Sequence, residues 1–97
     1  MGSGFYILFM IRQHIVFRGD VQGVGFRYRA RYAAGLYGCT GWARNEWDGT
    51  VTMEIQGSQS DINAVIRDID NGHFVHITSM DARNIPLIED ERGFGTR

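Results

Sequence analysis

The chain of 97 residues holds a single cysteine, Cys39. One thiol cannot form an internal disulfide and suits a reducing compartment, so a cytoplasmic protein is expected. Charge of one sign is lacking as well. A formal net charge of −1 provides no global positive field to hold nucleic acid or an anionic membrane, so neither is an expected partner. The apolar run Phe5–Ile11 covers only seven residues, far short of the about 20 that span a bilayer, and no small-residue cleavage site follows it. Internal repeats, linkers and low-complexity tracts are absent, and the length suits one domain with a single two-layer core.

What is present is enough apolar material for an ordered globule: 43% hydrophobic and 12% aromatic residues. Met1-Gly2-Ser3-Gly4 resembles a tag remnant. Residues 1–11 are set apart as an N-terminal extension and residues 12–97 as the domain. Phe5–Ile11 is expected to pack as an extra strand or tail. A monomer is expected, with dimerisation through this apolar segment as the other arrangement, because an exposed apolar strand invites pairing.

The hydrophobic pattern then alternates between strand and helix periods. His14–Arg18 is β-rich and stops at Gly19. Phe26 opens a helix in which Phe26, Ala30, Ala33, Ala34 and Tyr37 recur at helical spacing, with Gly38 as its stop. Thr40–Asn45 reads as a second strand. Asp48-Gly49 is a hairpin turn leading into Val51, Met53 and Ile55, which alternate with Thr52, Glu54 and Gln56 up to Gly57. A second helix is expected from Ser60, as N-cap, to Ile69, with Ile62, Val65, Ile66 and Ile69 on one stripe and Asn71-Gly72 closing it. Phe74–Arg83 reads as a fourth strand and Glu91–Thr96 as a short edge strand. The order predicts an α+β ferredoxin-like βαββαβ sandwich, an antiparallel sheet with two helices on one face.

Between the first strand and the first helix lies Gly19-Asp20-Val21-Gln22-Gly23-Val24-Gly25. Three glycines let successive backbone N–H groups converge, and the helix that follows aims further unpaired N–H groups at the same point. Arg27, in the first helical turn, supplies planar donors matched to phosphate oxygens. The arrangement is an anion seat. Neither Gly-x-Gly-x-x-Gly nor Gly-Lys-Ser/Thr occurs, so it is not a nucleotide loop of the usual kinds.

That loop, with Val21-Gln22-Gly23-Val24 and Phe26-Arg27, and the stretch Gly41-Trp42, Asn45 and Asp48-Gly49-Thr50-Val51 resemble the two signatures of the acylphosphatase family. The resemblance is strong from Arg12 to Gly57 and loose beyond. It implies the ferredoxin-like fold already read from the pattern, and hydrolysis of acyl phosphates to a carboxylate and inorganic phosphate. It further implies that Arg27 is the catalytic phosphate-binding arginine and that Asn45 holds the attacking water. The amides of Gln22, Gly23, Val24, Gly25 and Phe26 would complete the cradle. The pattern departs from the family at Asn71-Gly72-His73, where a Gly-Pro turn is usual, and in the glycine-rich end Gly93–Arg97. Asp20 puts a carboxylate in the loop and is expected to face solvent.

The chemistry is consistent with so few groups. An acyl phosphate expels a carboxylate whose conjugate acid has a pKa near ~4, so no general acid is needed. Asn45 can orient a water but cannot take its proton, which a phosphate oxygen is expected to accept. No metal or cofactor is called for. The expected partner is a small-molecule acyl phosphate. The alternative is a non-catalytic module of the same fold that binds phosphate or carbamoyl-type ligands. His73 and His76 lack a third ligand nearby, which argues against a metal site. Trp42 and Trp47 are expected to pack, Arg29 and Arg31 to form the solvated face of the first helix, and Cys39 to be a buried small hydrophobe.

Overall fold

A computed structural model describes residues 9–97. Among the described residues, five strands and two helices follow in the order β1 (Met10–Asp20), α1 (Phe26–Tyr37), β2 (Thr40–Asn45), β3 (Val51–Ser58), α2 (Gln59–Asp70), β4 (His76–Ile85) and β5 (Phe94–Thr96). Strand β1 takes in Met10 and Ile11, which pair with Ser58 and Gly57. The rest of the expectation for the N-terminal segment, through residue 8, lies outside the described residues. Among the described residues no helix is long and apolar enough to cross a membrane.

The sheet order is β4-β1-β3-β2-β5. β1 is antiparallel to both β3 and β4, and β3 is antiparallel to β2. The four long strands therefore form the expected ferredoxin-like sheet. β5 differs from expectation, because it runs parallel to β2 and makes the sheet mixed. The physical reason lies in the segment between β4 and β5. It crosses the sheet before the last strand forms, and the Gly41 amide donates to the Gly93 carbonyl at 3.1 Å to start the parallel pairing.

The period-2 pattern of β3 sorts its residues by face. Val51, Met53 and Ile55, with Ile15 and Phe17 of β1, are buried with Phe26, Ala30, Ala33 and Ala34 of α1 and Ile62, Val65 and Ile69 of α2 in one core. Phe17 and Phe26 meet edge to face, with centroids 4.8 Å apart. Each large core side chain contributes about 1.5–3 kcal/mol through burial. That packing fixes the first turn of α1 against the end of β1, and with it the intervening loop.

The other face is polar yet covered. Arg12, on the interior strand β1, is fully buried. Its guanidinium meets Glu54 at 3.1 Å and Glu91 at 2.7 Å, and His14 Nδ1 lies 2.8 Å from Glu54 Oε2. Gln56 donates to the Ile88 carbonyl and accepts from the Ile88 amide, at 3.0 and 2.9 Å. These contacts strap the segment between β4 and β5 across the sheet.

Three details depart from the sequence reading. The N-cap of α2 is Ser58 rather than Ser60, since the Asp61 amide donates to Ser58 Oγ at 3.1 Å. β4 runs from His76 to Ile85 rather than from Phe74 to Arg83. Trp47 does not pack; it is 97% exposed at the hairpin end, whereas Trp42 is buried.

Candidate active site

The loop between β1 and α1 carries positive φ at Gly23 (70°) and Gly25 (81°). That left-handed region is cheap only for glycine, and the two reversals bring the loop back over the start of the helix. Gly25 is the N-cap of α1 and offers no side-chain cap, and the first turn carries no acidic residue. The amides of Phe26, Arg27 and Tyr28 therefore have no intrahelical acceptor. α2 is the contrast, its first turn satisfied by Ser58 and holding Asp61. One helix of the pair is left open to an anion.

A concave pocket of about 160 Å³ sits at this open end, lined by Val21, Gly23, Gly25, Phe26, Arg27, Tyr28 and Asn45. Arg27 and Asn45, which are 18 positions apart in sequence, thus share one cavity with the loop glycines. The register explains the meeting. Asn45 ends β2 opposite Val51, and an odd-numbered residue of this strand lies on the helix-covered side with Ala43. Asp20 is exposed, as expected.

Gln22 and Val24 do not line this pocket. Val24 packs against the hydrophobic core. Gln22 faces the β2–β3 hairpin, where its side-chain Nε2 donates to the carbonyls of Glu46 (2.7 Å) and Thr50 (2.8 Å). The sequence reading assigned Gln22 only a backbone role. Its side chain fastens the loop to the hairpin that carries Asn45. The hairpin is itself braced: the Glu46 amide donates to Thr50 O at 2.9 Å, and Asp48 Oδ1 accepts from the Thr50 hydroxyl (2.7 Å) and amide (3.1 Å). Those bonds from Thr50 hold the Asp48 carboxyl below the usual carboxylate range.

Arg27 is also held. Its Nη1 donates to the Arg97 carbonyl at 3.0 Å, while the Arg97 amide donates to Ala43 O at 2.8 Å. The Arg97 guanidinium stacks over Trp42, 4.6 Å from the ring centroid, and Arg44 lies 5.2 Å from the same centroid. Nothing in the sequence flagged Arg97. The signal available was Trp42 on an exposed-looking strand face with Arg44 two residues on. Glu46, the acid nearest Asn45 in sequence, is paired with Arg44 at 2.6 Å.

Cys39 is buried, and burial, followed by the nearby Asp61 carboxylate, pushes its thiol up to about 11. Arg29 is exposed and donates to the Asp68 carbonyl, as suits a solvated helix face. Among the described residues no three His, Cys, Asp or Glu side chains cluster as a metal site.

A cavity this small, against about 300–1,000 Å³ for drug-sized ligand pockets, can grip an oxyanion group through amides and one guanidinium while an amide side chain stands beside it. A sequence model of the family described as acylphosphatase matches residues 13–96. An acylphosphatase of Clostridium perfringens is 40% identical over 88 residues, covering 90% of this chain and 99% of that protein. The structure of an acylphosphatase from Coxiella burnetii superposes with a TM-score of 0.83 at 26% identity over 100% of both chains. That of an acylphosphatase from Bacillus subtilis gives 0.81 at 27% identity over 90% of this chain and 98% of the other.

Proposed function

The chain belongs to the acylphosphatase family, and from that premise we propose that it hydrolyses acyl phosphates, with the phosphoryl group seated in the pocket of Gly23, Gly25, Phe26 and Arg27 and the attacking water held by Asn45. The observation that carries this reading is the shared cavity of Arg27, Asn45 and the uncapped start of α1.

Phosphoryl transfer asks for positioning and charge stabilisation more than for covalent help. The phosphoryl oxygens accept from the open amides and from the Arg27 guanidinium, which also draws charge as the bond to the leaving oxygen lengthens. Arg27 keeps further donors for this besides the one committed to Arg97. The Asn45 side chain accepts from the water and aims its lone pair at phosphorus. As the new P–O bond forms, the bond to the acyl oxygen breaks and a carboxylate departs with the electron pair. One of the water's protons passes to a phosphate oxygen and the other stays on the new P–OH, so the products are carboxylate and dihydrogen phosphate. Because the carboxylate is a weak base, no acid is required on the leaving side.

The test is release of inorganic phosphate from acetyl phosphate by the purified chain, with Arg27→Ala and Asn45→Ala beside it. Each substitution is expected to lower kcat by about 10²–10³. Turnover that survives both substitutions would place the reaction elsewhere. Phosphate binding without turnover in the wild type would establish a binding module.

A further inference from the structure

The phosphoryl pocket is too small to hold the acyl part of a substrate, so the acyl group must lie against whatever surrounds the mouth. Tyr28 lines that mouth. It also begins a row along the solvent side of α1, Tyr28, Tyr32 and Leu36, spaced four residues apart and therefore aligned. The three are 75%, 66% and 63% exposed. A parallel row runs Arg27, Arg31, Gly35. Between the rows is a trough of about 560 Å³ lined by Tyr28, Arg31, Tyr32, Gly35 and Leu36.

Gly35 is the informative residue. It sits in the last turn of a 12-residue helix, two residues before its end at Tyr37, where glycine is still less favourable than alanine. No close approach demands it, since a Cβ built there meets nothing within 4 Å. What the missing side chain does provide is depth, because any larger residue would fill the trough beside Tyr32 and Leu36. From Tyr28 to Leu36 the helix rises about 12 Å, which is the length of a two-ring acyl group. The lining offers two tyrosines, one leucine and one cation, Arg31, and no carboxylate.

Building on the reading above, we infer that this trough is the acyl subsite, and that it selects acyl phosphates with extended aromatic acyl groups. The carbonyl end leaves the phosphoryl pocket at Tyr28, the first ring lies against Tyr28, and the second lies over Gly35 between Tyr32 and Arg31. Offset stacking and cation–π contact are the interactions such rings would make.

The experiment compares kcat/KM for 4-phenylbenzoyl phosphate with that for acetyl phosphate, in the wild type and in Gly35→Leu, Tyr28→Ala and Tyr28→Phe. The ratio cancels any general loss of activity. The wild type is expected to favour the biphenyl substrate about tenfold, through KM. Gly35→Leu fills the trough with a good helix former, and Tyr28→Ala removes a ring face. Each should lower the ratio about three- to tenfold, while Tyr28→Phe retains it. A ratio near one in the wild type, or one unchanged by Gly35→Leu, overturns the acyl subsite and leaves the aromatic row to a macromolecular contact. Acetyl phosphate turnover reads the hydrolytic function separately, and its absence would overturn both.

Discussion

The side-chain amide of Gln22 donates to the backbone carbonyl of Thr50 at 2.8 Å and, with its second hydrogen, to that of Glu46 at 2.7 Å. One residue of the anion loop thereby sets the distance between the loop and the hairpin that ends in Asn45. Gln22→Ala removes both bonds and is expected to lower stability by about 1–3 kcal/mol, read as a shift of the urea midpoint. Because Asn45 and the cradle would drift relative to one another, kcat should also fall at temperatures where the variant is fully folded. Gln22→Glu, which replaces the donor with a carboxylate facing two carbonyls, should be worse than alanine on both measures.

The tether of Arg27 to the Arg97 carbonyl makes lysine a poor substitute. An ammonium keeps the charge but lacks the planar fork that can serve Arg97 and an oxyanion together. Arg27→Lys should therefore retain less than about a tenth of wild-type kcat/KM, given that a lost oxyanion donor costs about 10²–10³. Inorganic phosphate should also inhibit it less strongly than it inhibits the wild type. Near-normal kinetics in this variant would mean that charge alone suffices.

Glu54 gives stability an acid limb. Burial works to raise its pKa, but hydrogen bonds from His14 and Arg12 and their charges outweigh that and hold it below the usual carboxylate range. A depressed folded-state pKa means the ionised form contributes stability above the ordinary glutamate value. The contribution is lost as pH falls through the depressed one. Urea midpoints measured from pH 7 down to pH 3 should drop more steeply for the wild type than for Glu54→Gln.

Arg12 belongs to the same network and has the larger effect. Removing one partner of a buried ion pair costs about 3–5 kcal/mol, and somewhat less is expected for Arg12→Ala because Glu54 and Glu91 retain 18% and 15% side-chain exposure. The loss should appear in chemical denaturation at neutral pH and shrink in acid, where the stranded carboxylates can protonate.

Cys39 should be unreactive while the fold holds. Its thiol is buried and pushed up to about 11, and the thiolate is the reactive form. Modification by a disulfide reagent at pH 8 is expected to proceed only at the rate of opening, and to become complete in urea. Rapid labelling of the native protein would contradict the assigned burial.

Much of this was legible in the residues, for identifiable reasons. β2 was read with its observed bounds because Gly38 stops the preceding helix, and the Asp48-Gly49 turn marks where its partner strand begins. The meeting of Arg27 with Gly23 and Gly25 in one pocket was legible because positive φ and a planar cation leave a mark in residue type. The Ser58 cap was misread because two serines stand two positions apart and only the geometry shows which hydroxyl receives the Asp61 amide. The parallel β5 was hidden because three residues show no period, and its placement depends on Arg12, Gln56 and Glu91 meeting across the whole chain. The side-chain role of Gln22 was hidden for a similar reason. Its acceptors are backbone carbonyls, which carry no sequence signal.

The position of β1 has a kinetic consequence. The first of the described strands is an interior strand of the sheet, flanked by β3 and by β4, whose paired residues lie 34–48 and 56–73 positions away. Neither flank can be satisfied by a local hairpin, so two large loops must close before the core is sealed, and loop closure of this kind slows folding. Strand β1 therefore stays bare on both edges until β3 and β4 have followed it, and refolding should be slow for the size of the domain.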